Sequence, residues 1–136
     1  MPISREQLRE LARCRLSEAK VLADHGCSSG AYYLAGYAIE CALKAVMASQ
    51  FEANQIPDKG LVNSIYTHVL PDLLRLSGLQ TELHSATPEL IKDWDIVKNW
   101  SENTRYVTCD AATAAALLDA VGGEDRGIFQ WLSSRW

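Results

Sequence analysis

The chain has 136 residues, of which 48% are hydrophobic and 22% are charged, and its net charge is −4 at pH 7. This hydrophobic content excludes an intrinsically disordered chain. The acidic balance disfavours nucleic-acid binding by the whole surface, so an RNA site would need a local basic patch. With only 4 prolines and 8 glycines, the composition predicts one mainly helical domain over residues 1–136.

The chain contains no segment with the ~18 consecutive apolar residues that a membrane span needs. Its richest apolar run, residues 31–48, is interrupted by Glu40 and Lys44. The first residues also lack the apolar stretch of a signal peptide. We therefore expect a cytoplasmic protein that has no membrane partner.

Two long helices are predicted in the first part of the chain. Ser4, followed three residues later by Gln7, matches a capping box, and an amphipathic pattern then predicts a helix over residues 4–24 that Gly26 ends. A second helix is predicted over residues 29–52. Because it is apolar on nearly all sides, we expect it to lie at the centre of a bundle as the most buried helix.

The middle of the chain predicts less regular structure. Residues 53–63 are polar and predict a loop, and a short helix is predicted over residues 64–77, which Gly78 ends. Pro71 suits the first turn of a helix, so a later start near His68 is an alternative.

The second half of the chain predicts two further helices. Thr87 and Pro88 provide an N-cap and a first residue for a helix over residues 88–106, and Thr108 can cap a fifth helix. The glycine pair 122–123 interrupts this fifth helix before the apolar pattern resumes. Strand-like alternation is absent, so the sequence predicts an all-α fold, an antiparallel up-down bundle of four to five helices.

The central helix carries one polar stripe. Its members share a helical face by their spacing and are Tyr33, Tyr37, Glu40 and Lys44. One interpretation is an ordinary ion pair between Glu40 and Lys44, worth about 0.3 kcal/mol, beside two half-buried tyrosines. The other is a polar cleft in which Glu40 and Lys44 face a ligand or a second protomer.

The segment 100–106, Trp-Ser-Glu-Asn-Thr-Arg-Tyr, is a second candidate site. The planar guanidinium of Arg105 suits a phosphate, and Tyr106 can stack on a base. The alternative is a structural helix end, at which Arg105 complements the helix dipole or pairs with Glu40 or Glu102. In that case, replacement of Arg105 would destabilise the fold.

The sequence predicts no metal, no cofactor and no catalytic residue. The four cysteines have no C-x-x-C pair and the three histidines have no H-x-x-x-H pair, which are the usual spacings of metal ligands. His68 has no partner at motif spacing, so a structural role is expected for it. The motifs of nucleotide hydrolases, metalloproteases and serine hydrolases are absent.

Four segments, taken in chain order, resemble the HEPN domain family. They are Ala12-x-x-x-Leu16-x-x-Ala19, Gly30-Ala-Tyr-Tyr-Leu-Ala-Gly-Tyr-Ala-Ile-Glu-Cys-Ala-Leu-Lys-Ala45, Thr67-His-Val-Leu-x-x-Leu-Leu74 and Trp100-x-x-x-x-Arg-Tyr106. The likeness spans about residues 10–107. It implies an antiparallel helical bundle that pairs as a homodimer. Many members are ribonucleases, often toxins that pair with a small nucleotidyltransferase or act in phage defence, and others bind nucleotide or RNA without cleaving it.

The ribonuclease members carry an arginine followed, after four to six residues, by a histidine. In this chain the positions at that distance from Arg105, residues 110–112, hold Asp, Ala and Ala. The resemblance therefore implies a bacterial non-nuclease dimer that acts as a binding or scaffold module, with a nucleotidyltransferase as candidate partner and nucleotide or RNA as candidate ligand. One alternative is a metal-independent RNA-cleaving toxin that uses His68 or Glu40 as its base. Another is a subunit that only neutralises a partner protein.

The resemblance also places the Arg-Tyr end of the fourth helix near the second helix. We therefore expect Arg105, Tyr106, Glu40 and Lys44 to converge on one polar cleft, with His68 as a weaker member.

The four tryptophans give a separate indication of assembly. Trp131 and Trp136 lie at the end of the chain and are expected to pack the bundle or the seam of a dimer. So many large apolar side chains suggest surface that a monomer would not cover, which predicts a two-fold dimer.

Overall fold

The computed structural model describes residues 2–136, and all of its regular secondary structure over that range is helical, with no β-strand. A 3₁₀ helix over Glu102–Tyr106 accompanies eight α-helices. The α-helices are α1 Arg5–Asp24, α2 Ser28–Ala48, α3 Lys59–Ser64, α4 Leu70–Leu76, α5 Gln80–His84, α6 Pro88–Val97, α7 Ala111–Val121 and α8 Gly127–Ser133. The predicted all-α class is confirmed. Over the described range, no helix combines the length and the apolar character needed to cross a membrane.

α1 and α2 form a helical hairpin that builds the core. Ser4 caps α1 through the predicted capping box: the Gln7 N–H donates to Ser4 Oγ at 3.1 Å, and the Ser4 N–H donates to Gln7 Oε1 at 2.8 Å. Gly26 follows the helix with a φ of 75°, a conformation that costs glycine little because it has no Cβ. The helix predicted over residues 4–24 is therefore confirmed.

α2 is the most buried helix, as predicted. Twelve of its residues are buried, and Ala38 and Ala42 have no exposed surface. It packs against α1, α4, α7, α8 and the 3₁₀ helix. It ends at Ala48 rather than at residue 52. Beyond the helix end, Gln50 donates from Nε2 to the carbonyl of Ser77 at 2.6 Å and so joins this segment to the end of α4.

The region between α2 and α4 corrects two predictions. The predicted loop over residues 53–63 contains most of the short helix α3, which begins after Asp58; the Asp58 side chain accepts from the Leu61 N–H at 2.9 Å. The helix predicted over residues 64–77 begins only at Leu70. The chain leaves α3 at Ser64, and the segment between the two helices, which contains His68, is not helical. The alternative start near His68 was closer. A further short helix, α5, was not predicted.

Thr87 and Pro88 begin α6 as predicted, and Thr87 Oγ1 accepts from the Leu90 N–H at 3.3 Å. The helix ends at Val97, however, and not at residue 106. The chain is non-helical between Val97 and the 3₁₀ helix that begins at Glu102. The single predicted helix over residues 88–106 is therefore wrong beyond its first ten residues.

Trp100 accounts for this break. Its side chain is only 3% exposed and its ring lies directly against Gly36 of α2. Ser101 is extended, with φ −136° and ψ 147°, and this change of direction separates the buried tryptophan from the 3₁₀ helix. Burial of the indole in the core has thus outweighed continuation of the helix.

Asp110, and not Thr108, caps α7. Its Oδ1 accepts from the Thr113 N–H at 2.8 Å, and hydrogen bonding to the Thr113 side chain and backbone lowers the pKa of Asp110. A carboxylate cap also interacts favourably with the dipole of the helix N-terminus. α7 ends at Val121, where Gly122 adopts a φ of 73°, so the predicted interruption by the glycine pair is confirmed.

The tryptophans complete the core of this single chain. Trp94, Trp100 and Trp131 are buried, and Trp136 lies edge-on to Phe129 with ring centroids 5.5 Å apart. They pack the fold, as one of the two interpretations predicted. Their abundance is therefore no evidence of a dimer, because the chain buries most of their surface itself.

Candidate functional site

Glu40 is the most deeply buried carboxylate of the candidate site. It lies in the middle of α2, with only 3% of its side chain exposed. Lys44 follows one helical turn later, and its Nζ donates to Glu40 Oε2 at 3.2 Å. The ion pair that the four-residue spacing predicts is therefore present. A carboxylate buried to this degree needs charge compensation.

His68 brings the second compensating group from the segment before α4. Its Nδ1 lies 3.0 Å from Glu40 Oε1, and its Nε2 lies 3.3 Å from Glu102 Oε2 in the 3₁₀ helix. The imidazole is 45% exposed, so it closes the site at the surface. We call Glu40, Lys44, His68 and Glu102 the Glu40 cluster.

The geometry of His68 limits what the Glu40 cluster can do. Two carboxylates face its two ring nitrogens, and only the doubly protonated imidazolium can donate to both. Glu102 Oε2 lies at Nε2, the ring nitrogen that Glu40 leaves free, so a base role for His68 requires Glu102 to move away from it.

Arg105 and Tyr106 lie apart from this ion-pair network. Both are exposed, and the Arg105 guanidinium lies 5.0 Å from the centroid of the Tyr106 ring. The neighbouring phenols of Tyr106 and Tyr33 raise the pKa of Arg105, so the guanidinium stays charged. We call Arg105, Tyr106 and Tyr33 the Arg105 surface.

The predicted cleft is thus divided between two groups. Among the described residues, Arg105 forms no ion pair with Glu40 or Glu102, whose oxygens are held by Lys44 and His68. A structural role for Arg105 through a bond to Glu40 is therefore not supported. Tyr106 likewise remains at the surface, with 77% of its area exposed.

Aromatic side chains of α2 support the Arg105 surface. Tyr33 and Tyr37 stack with their centroids 6.2 Å apart and their planes 14° apart, and Tyr33 also lies 6.0 Å from Trp100. Trp100 in turn packs on Gly36. The polar stripe predicted on α2 therefore has two parts, because Tyr33 approaches Trp100 and Arg105 while Glu40 pairs with Lys44 and His68.

No family model, curated protein or solved structure matches this chain. No group of three or more His, Cys, Asp or Glu side chains within residues 2–136 has an arrangement that could hold a metal ion.

Cys41 lies beside Glu40 on α2 and is the one cysteine of the described chain that is buried. Burial raises its pKa to about 11, and the charge of Glu40 adds to this effect. A thiol with this pKa is protonated at neutral pH and is a poor nucleophile. With 3% of its surface exposed, Cys41 is a small residue of the core.

Sequence reasoning missed the bridge from His68 to Glu102. The chain distance between them carries no motif, and although Glu102 belongs to the candidate cleft, its expected partner was Arg105. The expected cleft places His68 with Glu40, which the fold brings to 3.0 Å, but as a weaker member and without the bond to Glu102. The signal nearest to this contact was the ordered resemblance, which contains both the Glu of α2 and the Thr-His pair.

Proposed function

We propose that this chain is a HEPN-like helical module that forms a homodimer and binds a nucleotide or RNA without cleaving it. In this proposal it serves as the binding or scaffold member of a bacterial toxin–antitoxin or phage-defence pair, with a small nucleotidyltransferase as its partner. The proposal rests on the ordered sequence resemblance and on one structural observation, the exposed guanidinium of Arg105, which has no carboxylate partner in the described chain.

Arg105 is the observation that carries the binding role. It is exposed, it has no carboxylate partner in the described chain, and an exposed tyrosine ring lies next to it. A guanidinium fork binds phosphate oxygens, and an exposed aromatic ring stacks on a base. Together they fit a ligand that has both a phosphate and a base, despite the net acidic charge of the chain.

The residues around Arg105 and His68 support a role that does not include RNA cleavage. The residue types at positions 110–112 are Asp, Ala and Ala, so no histidine follows Arg105 at the ribonuclease spacing. His68 is engaged at both ring nitrogens by Glu40 and Glu102. Both observations favour a site without the general base that metal-independent RNA cleavage needs.

Exposed apolar side chains next to the Glu40 cluster and next to the Arg105 surface support the proposed dimer. Tyr66 and Val69 flank His68 with 73% and 51% exposure, and Tyr106 and Val107 follow Arg105 with 77% and 61%. Large apolar side chains left in water near a polar site are typical of a protein interface. Light scattering at micromolar concentration is expected to give the mass of two chains, and a monomer would contradict this part of the proposal.

The binding role is tested by Arg105→Ala. We expect affinity for AMP or for a single-stranded RNA to fall at least about tenfold, the loss of one charge-assisted contact, while the melting temperature is unchanged. Arg75→Ala is the matched control, because Arg75 is also exposed and its partner Asp72 is 3.9 Å away. A lower melting temperature of Arg105→Ala, together with no measurable binding of AMP or RNA to the wild type, would contradict the binding role.

A second candidate is the RNA-cleaving enzyme with His68 as its base. The observation that favours it is the buried carboxylate of Glu40 on His68 Nδ1, since a buried carboxylate orients the imidazole of many general bases. We expect total RNA to remain intact when incubated with the protein and a chelator. Cleavage that His68→Gln abolishes would replace the binding proposal by this one.

A further inference from the structure

A separate cleft of about 430 Å³ lies between α2, the N-terminal end of α1 and the segment 57–66. Apolar side chains form most of its walls: Leu8 and Leu11 from α1, Met47 from α2, and Val62 and Ile65 from the covering segment. Small-molecule sites are typically mostly apolar clefts of about 300–1,000 Å³ with a few polar groups. The cleft has this size and composition.

Two charged residues reach the cleft, and they are not equivalent. Both oxygens of Glu40 are already used, by Lys44 and by His68. Lys44 donates to Glu40 alone in the described chain, and an ammonium group has three donors. The cleft therefore offers unused hydrogen-bond donors and a compensated carboxylate.

The other residues on the cleft wall add no charge. Among the described residues, Glu40 and Lys44 are the only Asp, Glu, Lys or Arg side chains in its lining. Cys41, also on the wall, is a neutral thiol because burial raises its pKa to about 11. An occupant that satisfies Lys44 needs one acceptor group, preferably anionic, and an apolar body for the remaining surface.

We propose that this cleft is a second binding site, for a small amphipathic monocarboxylate. The carboxylate bonds to Lys44 Nζ, and the apolar chain lies between Leu8, Leu11 and Val62. This site goes beyond the proposed function, because neither Arg105 nor Tyr106 lines it. Its occupant needs no phosphate and no base.

Calorimetric titration with decanoate tests the proposal. We expect saturable binding of one decanoate per chain, and binding of decanol that is at least about tenfold weaker, because the alcohol has the same apolar chain without the charge. Lys44→Met is expected to weaken decanoate at least about tenfold. Lys98→Met is the matched control, since Lys98 also pairs with a carboxylate of the preceding turn, at 3.0 Å, and does not line the cleft.

Two further variants keep the test decisive if Lys44→Met folds poorly. Val62→Trp fills the cleft from its partly exposed wall and is expected to abolish binding while circular dichroism stays native. Glu40→Met releases the Lys44 ammonium from its present partner and is expected to strengthen decanoate several-fold, a gain that general loss of structure cannot produce.

Absence of saturable decanoate binding to the wild type would overturn the proposal. So would binding that neither Lys44→Met nor Val62→Trp changes. If Val62→Trp instead shifts a monomer–dimer equilibrium measured by light scattering and decanoate does not bind, the occupant is a second copy of the chain and the ligand site is refuted. None of these results depends on the Arg105 surface, so failure here leaves the proposed function to its own test.

Discussion

Gly36→Ala is expected to lower the free energy of unfolding by about 2–3 kcal/mol, because it forces a methyl group into a packed core. An ideal Cβ at Gly36 would lie 2.2 Å from the Cδ1, Cγ and Nε1 atoms of Trp100. The ring is 3% exposed and contacts Tyr33, so it cannot move outward without cost. Thermal unfolding followed by circular dichroism should show a decrease of about 6–12 °C in Tm.

Gly30→Ala is the matched control in the same helix. A Cβ at Gly30 would meet only Leu22 Cδ1, at 3.1 Å, and a flexible leucine end can turn away. Alanine also has the higher helix propensity, so this variant should be within about 0.5 kcal/mol of the wild type. Equal losses in the two variants would contradict the packing of Trp100 on Gly36 as the cause.

Displacement of Trp100 also has a predicted effect on binding. The tryptophan lies immediately before the 3₁₀ helix that carries Glu102 and Arg105. If Gly36→Ala shifts the indole, the Arg105 surface shifts with it, and affinity for AMP should fall together with stability. Gly30→Ala should leave that affinity unchanged.

Local signals in the sequence were sufficient where structure depends on near neighbours. The capping box at Ser4 and Gln7, the Thr87-Pro88 start of α6 and the all-round apolar pattern of α2 each involve residues within one or two turns. Such contacts have a fixed geometry in a helix, so spacing alone predicts them. The Glu40–Lys44 pair belongs to the same group.

Contacts between distant segments were not predictable in this way. The apolar pattern of residues 88–106 continues past Val97, and only the packing of Trp100 on Gly36 shows why the helix stops. The bridge by His68 between Glu40 and Glu102 likewise depends on how α2, the segment before α4 and the 3₁₀ helix come together. Spacing within one segment contains no information on these distances.

Lys44→Met is expected to cost about 2–3 kcal/mol of unfolding free energy. Glu40 would remain buried, with His68 as its one remaining partner, and loss of one member of a buried ion pair is strongly destabilising. The partial exposure of Lys44, 20% of its side chain, keeps the effect below that of a fully buried pair. Urea unfolding should show a lower midpoint with an unchanged m-value.

Glu40→Met is expected to behave in the opposite way, with a change within about 1 kcal/mol of the wild type. An apolar side chain of similar volume fits a buried position, and Lys44 and His68 can both turn to water because they are partly exposed. The double variant with Met at both positions should then recover most of the stability that Lys44→Met loses. Such recovery would show strong coupling between the two sites.

Lys98→Met provides the baseline for this cycle. The Lys98–Asp95 pair has the same kind of contact, at 3.0 Å, but both side chains are about half exposed, so its loss should change stability by at most about 0.5 kcal/mol. A cost for Lys44→Met as small as that for Lys98→Met would contradict the buried ion pair. If the double variant is as stable as the wild type, stability alone does not explain a charged Glu40 in the core. Its contact with His68 and its place on the cleft wall are then the more direct reason for the charge.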